Sequence, residues 1–157
     1  MNLTEFVVWI KMTFHILQIA IPFIWFGLVA GISFMETPLK FRAPNITLRL
    51  GLGIGKIVFS ALNKIEIALA ILFLLALFLA RPERRFAVLC FSVIAFLLIL
   101  QTVWLLPSLK ARVPAVISDS FTTSSYTHFI YIAFELIKVV LLFALGWNLV
   151  LDYLKFE

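Results

Sequence analysis

Four apolar runs dominate this chain, at about residues 6–34, 55–80, 86–106 and 127–151. Each is long enough to cross a bilayer, which takes on the order of 20 apolar residues. What remains is two loops, one tight turn and short ends, so no separate soluble domain fits between the runs. A soluble helical core would need an outer polar layer. With 64% hydrophobic and 13% charged residues the chain cannot supply one. The expected fold class is therefore all-α, an integral membrane up-down four-helix bundle forming a single membrane domain over residues 1–157. The short turn Arg81-Pro82-Glu83-Arg84-Arg85 makes the second and third runs an antiparallel neighbouring pair.

The opening Met-Asn-Leu-Thr-Glu lacks a basic n-region, and no small-residue cleavage site follows the first run, so that run is expected to stay as an anchor. The net charge of +5 is not a nucleic-acid footprint, because the basic residues cluster at the ends of the spans, as membrane-protein loops require. The expected partners are the lipid bilayer and either a second copy or a partner membrane subunit, since four spans enclose little space; no nucleic acid is expected. Lys40, Arg42, Arg49, Lys110 and Arg112 belong to one membrane face, and Lys11, Arg81, Arg84, Arg85 and Lys155 to the other. The dense Arg81–Arg85 turn tips the orientation towards cytoplasmic termini, in a bacterial inner membrane. The single cysteine, Cys90, excludes an internal disulfide and a C-x-x-C redox motif, and reads as a small apolar filler.

Local features refine this outline. Pro22 should kink the first span near its middle, with His15 and Gln18 on one face before it and the Gly27-x-x-x-Gly31 packing motif after it. In the first loop, Lys40, Arg42 and Arg49 alternate with apolar residues, as in a segment lying among lipid headgroups. Gly51-x-Gly53-x-Gly55-Lys56 superficially resembles a phosphate loop, but no strand precedes it and neither Ser nor Thr follows the lysine. It reads instead as a flexible helix entry with close packing, where Lys56 can attract an anionic headgroup.

The charges inside the second and fourth runs are the best pointer to a site, because ionisable groups in hydrocarbon cost a few kcal/mol or more each and normally face the bundle interior. Counting at ~1.5 Å per residue puts Glu66 and Lys138 near the midplane, with Lys64, Glu135, Asn63 and Gln101 closer to the loop face. On the fourth run His128, Tyr131, Glu135 and Lys138 form one stripe at ~100° per residue. On the second run Lys56, Ser60, Asn63 and Glu66 form another, and Lys64 points away from its centre. The expected pairs are Glu66 with Lys138, and Glu135 with Lys64 or Asn63. Such pairs can simply fix helix register, or they can line a polar cavity that holds an ion, a proton or a small polar molecule. His15 and His128 stand roughly 25 Å apart along the bundle axis, too far for one haem iron. Two histidines and one cysteine make a poor metal inventory, and no Ser-His-Asp set is evident. No catalytic residue, cofactor or metal is therefore expected. The function expected is membrane-embedded binding or transport of an ion or small solute, without enzymatic activity. The alternative is an accessory or scaffold subunit of a larger membrane complex.

The run Ile10-Lys11-Met12-Thr13-Phe14-His15-Ile16-Leu17, followed by Trp25-Phe26-Gly27, Pro38-Leu39-Lys40-Phe41-Arg42, Trp104-Leu105-Leu106-Pro107 and Tyr126-Thr127-His128, resembles the transmembrane-protein-205-like group of small membrane proteins. The resemblance covers most of the chain through short elements. It implies a four-span fold and no established biochemical activity.

Overall fold

The structure, a computed structural model, describes residues 2–80, 85–109, 111 and 126–155, with the side chains of Leu48, Thr127 and His128 left aside. The described residues are helical almost throughout and contain no strand. Helix α1 (Leu3–Val29) starts at a capping box: Asn2 Oδ1 accepts from the Glu5 amide at 2.9 Å, and the Asn2 amide donates to Glu5 Oε2 at 3.0 Å. It stays helical through Pro22, widens into a π-helical segment at Ala30–Glu36, and ends in the short α2 (Thr37–Lys40). Helix α3 spans Leu48–Leu79 and α4 spans Arg85–Leu100, the latter continuing through a second π-helical segment at Gln101–Leu105. Helix α5 is Tyr126–Tyr153. Four of these helical stretches, Leu3–Lys40, Arg49–Leu79, Arg85–Leu109 and Phe129–Tyr153, are long and apolar enough to cross a membrane. The tight turn expected at residues 81–84 and nearly all of the last loop, residues 110 and 112–125, lie outside the described residues.

Helix α3 begins about two turns before the second apolar run. Thr47 caps it, its hydroxyl accepting from the Leu50 amide at 3.3 Å. The glycines of this stretch lie within the helix and serve packing. A Cβ on Gly51 would fall 2.1 Å from the Phe41 ring, and one on Gly55 would fall 3.0 Å from Lys40 Nζ, so the segment after α2 can lie directly on α3. At the other end of the bundle, Gly146 admits Phe23, whose ring is 2.9 Å from where a Cβ would stand, and this seats α1 against α5.

Helix α1 packs against α3 and α5, and α5 packs against α4. The side-chain pairings run antiparallel: Gln18 meets Ala76 and Trp25 meets Glu66, while Phe23 meets Phe143 and Ser33 meets Glu135. Helices α3 and α4, expected to be close neighbours, touch more sparsely. Phe73 and Phe91 meet at 4.8 Å between ring centroids, Asn63 meets Thr102, and an apolar groove lined by Ala70, Leu74, Val88 and Ala95 stays open between them. Bulky rings at one level and a polar bridge at another hold the two backbones apart.

One apolar core, including Ile21, Trp25, Val29, Phe73, Ile94, Leu142 and Leu145, fills the half of the bundle nearest the end of α3 and the start of α4. A smaller cluster of Leu105, Leu106 and Tyr131 lies towards the loop end. Between the two sit buried Glu66, Gln101, Glu135 and Lys138. The outward faces carry Leu72, Phe78, Leu89, Phe96, Leu136 and Val140, all exposed. Polar groups inside and apolar groups outside reverse the arrangement of a protein surrounded by water.

Candidate functional site: a buried acid–base cluster

Lys138 on α5 is fully buried and its ammonium bridges two carboxylates. Nζ lies 2.5 Å from Glu66 Oε1 on α3 and 3.0 Å from Glu135 Oε1, one turn earlier on α5. Glu66 Oε1 also accepts from Trp25 Nε1 of α1 at 2.9 Å. Glu135 Oε1 accepts from Gln101 Nε2 at 2.7 Å, and its Oε2 accepts from Ser33 Oγ at 3.0 Å. Each of the four long helical stretches therefore contributes a side chain to one small polar centre. Both carboxylates are 1% exposed, so these partners replace water as their solvation.

Two of the donors to Glu135 come from the π-helical segments, Ser33 from Ala30–Glu36 and Gln101 from Gln101–Leu105. A π turn takes an extra residue, and so alters which side chains face the neighbouring helix compared with an α-helix of the same sequence. Both irregular segments thus converge on the same carboxylate. Gln101 Oε1, on the same amide, is buried and lacks a hydrogen-bond partner among the described residues.

The sequence-derived candidates distribute as follows. Glu66, Gln101, Glu135 and Lys138 come together directly. Tyr131 is buried one turn before Glu135, with its ring edge-on to Phe59 at 5.3 Å between centroids. Asn63 is buried but donates from Nδ2 to Thr102 Oγ1 at 2.9 Å, away from Glu135. Lys64 is exposed on the outer face of α3, along a shallow groove that it shares with Lys56 and Ser60. The expected partnership of Glu135 with Lys64 or Asn63 is thus replaced by Lys138, Gln101 and Ser33. The reason is angular: Lys64 lies two residues before Glu66, ~200° around the helix, so the two cannot share a face. The side chain of His128 lies outside the described residues.

Of the four candidates for headgroup contact, Lys40 is the most buried. Its Nζ lies 3.4 Å from Glu36 Oε2 and above the rings of Phe41 and Phe59. Arg42, Arg49 and Lys56 are exposed. His15 is half-exposed and stands apart from the cluster, whereas its neighbour Gln18 is buried and donates to the carbonyl oxygens of Ala76, at 2.8 Å, and Ala80. No group of three or more His, Cys, Asp or Glu side chains is placed to hold a metal among the described residues.

Trp25 and Ser33 escaped the sequence reading. Trp25 looked like one more large apolar residue of the first span, and Ser33 was a lone hydroxyl whose direction depends on the π turn. Spacing alone carried a signal for Trp25, which stands seven residues beyond Gln18 and shares its inner face.

Chemically, the centre holds two carboxylates against one ammonium among its described members, so with all three ionised it bears one net negative charge. In a low-dielectric interior such a surplus is costly, and a cation or a shared proton would relieve it. Comparison with protein families, with curated proteins and with solved structures returns no match for the chain.

Proposed function

We propose that the chain is a multi-pass integral membrane protein, an up-down four-helix bundle with both termini on the cytoplasmic side, whose buried centre binds or passes a cation or proton. The observation that carries this reading is the Glu66–Lys138–Glu135 triad, with its surplus carboxylate and the unpartnered Gln101 Oε1 beside it. A centre built only to fix helix register would be neutral with one acid and one base. The third charge calls for a further ligand, and ionisable groups at this depth ordinarily mark an ion or proton path. The resemblance to the transmembrane-protein-205-like group accords with four spans and assigns no residue a role.

The test is ion flux into sealed vesicles containing the purified protein, with proton, sodium and potassium gradients applied in turn. Glu135→Gln is the informative variant, since it removes the surplus charge and leaves the Glu66–Lys138 pair in place. The expected result is a flux in the native protein that Glu135→Gln abolishes while its thermal midpoint is kept. Absence of flux and of any bound cation in the native protein, or an unaffected Glu135→Gln, would sink the reading.

A second reading, an accessory subunit, is favoured by one observation. Gly27 of α1 and Gly31 of the π-helical segment that follows it have nothing within 4 Å of where a Cβ would stand, so this small-residue face is uncovered among the described residues. Under that reading Gly31→Leu releases a co-purifying polypeptide. Unchanged composition of the purified material would count against it.

A further inference from the structure

A separate cavity of about 150 Å³ lies where the end of α2, the first turns of α3 and the end of the α4 stretch meet. Phe41, Phe59, Leu106 and Leu109 line it, and Lys40 and Lys56 are its only charged members among the described residues. An apolar cavity of about this size stays dry and accepts an apolar guest of roughly benzene bulk. Among the described residues a single carboxylate, Glu36, offsets the two ammonium groups. Lys40, with its side chain 9% exposed, has the Glu36 carboxylate at 3.4 Å and otherwise faces the rings of Phe41 and Phe59, at 5.6 and 5.4 Å to the centroids. Gly51 and Gly55 form the floor, where a side chain would collide with Phe41 and Lys40.

The level of the cavity identifies its occupant. Phe59 stands 21 residues from Ala80, at the end of α3, and Leu106 stands 21 residues from Arg85, at the start of α4. At ~1.5 Å per residue both lie about 31 Å from those helix ends, which is the far boundary of a ~30 Å hydrocarbon layer. An apolar recess beneath two cations at this boundary matches an amphiphile with a negative head. We propose that the cavity binds an anionic phospholipid of the surrounding bilayer, its phosphate between Lys40 and Lys56 and the first methylenes of one acyl chain in the recess. A zwitterionic lipid would bring its own ammonium towards two lysines, so the charge pattern selects a lipid with net negative charge. This site shares no residue with the acid–base cluster and stands independently of the proposed transport.

Native mass spectrometry of the full chain in mild detergent tests it, with phosphatidylglycerol and phosphatidylcholine of identical acyl chains added separately. Phosphatidylglycerol is expected to be retained preferentially, and Lys40→Met/Lys56→Met should lower its affinity about 30-fold at low salt. Arg42→Met/Arg49→Met makes the same change in net charge outside the cavity and should leave the preference intact. Equal retention of the two lipids, or an equal loss in the arginine variant, would overturn the proposal. So would oleate displacing phosphatidylglycerol at matched concentration, since the site would then belong to a free fatty acid. If Lys40→Met fails to fold, Lys56→Met alone decides: about a fivefold loss supports the site and no change refutes it.

Discussion

Replacing Lys138 with Met removes the group on which both buried carboxylates depend. Glu66 keeps Trp25, and Glu135 keeps Gln101 and Ser33, but all of these are neutral donors and both carboxylates stay 1% exposed. Breaking a buried ion pair by deleting one partner costs about 3–5 kcal/mol, because the charge left behind is uncompensated. For a chain of this size, at ~2–4 °C per kcal/mol, the thermal midpoint should fall by about 6–20 °C. Glu135→Gln is the contrasting change. It keeps an acceptor for Ser33 or Gln101 and leaves the 2.5 Å contact between Lys138 and Glu66, so it should cost no more than about 1.5 kcal/mol. The double variant should be less destabilised than the two single effects added together, by roughly 0.5–3 kcal/mol, because the Glu135 charge costs more once Lys138 is missing. Cys90 provides the readout. As the chain's single thiol, buried in α4, it becomes reactive towards a maleimide dye when the bundle opens in detergent. A Lys138→Met midpoint within a few degrees of the native one, or an equal fall in Glu135→Gln, would refute the dependence described here.

Other changes probe the surrounding bonds. Trp25→Phe keeps the ring but deletes the donor to Glu66, and should cost about 1.5–3 kcal/mol in the same thiol assay, with most of the loss absent when Glu66 is already Leu. Gln18→Leu withdraws the amide from the carbonyls of Ala76 and Ala80, and should cost about 1–3 kcal/mol, visible as faster hydrogen exchange in the last turn of α3. Gly146→Val drives a side chain into the Phe23 ring; the overpacking should cost about 1–3 kcal/mol and be partly recovered by Phe23→Leu, measured by thermal midpoint.

The sequence made the spans legible because apolar length is written in single letters, and it brought Glu66 and Lys138 to one level because α3 and α5 run in the same direction. It misplaced the partners of Glu135 for an identifiable reason. Gln101 and Ser33 point inward from π turns, and a π turn leaves no residue signature comparable to a proline or a cap. Lys64 was paired by depth although its angle excluded it, and angle governs which side chains meet. The start of α3 was hidden for the opposite reason. Glycines that ordinarily signal a loop lie within a helix there, because Phe41 and Lys40 need the space. The open groove between α3 and α4 depends on Phe73 meeting Phe91 and Asn63 meeting Thr102, pairings that no period along a single helix reveals.

The reversal of polarity from inside to outside has a consequence for how such a chain can vary. In a bilayer, apolar side chains facing hydrocarbon would gain little from any particular neighbour, so Leu, Ile, Val and Phe on the outer faces would be nearly interchangeable. The rotation of each helix about its own axis is instead fixed by a very few atoms: the indole of Trp25, the carboxylates of Glu66 and Glu135, the amide of Gln101 and the ammonium of Lys138. A relative could replace most of its outward-facing letters and keep the same fold. Kinship among such chains is to be sought in that handful of letters and the intervals between them.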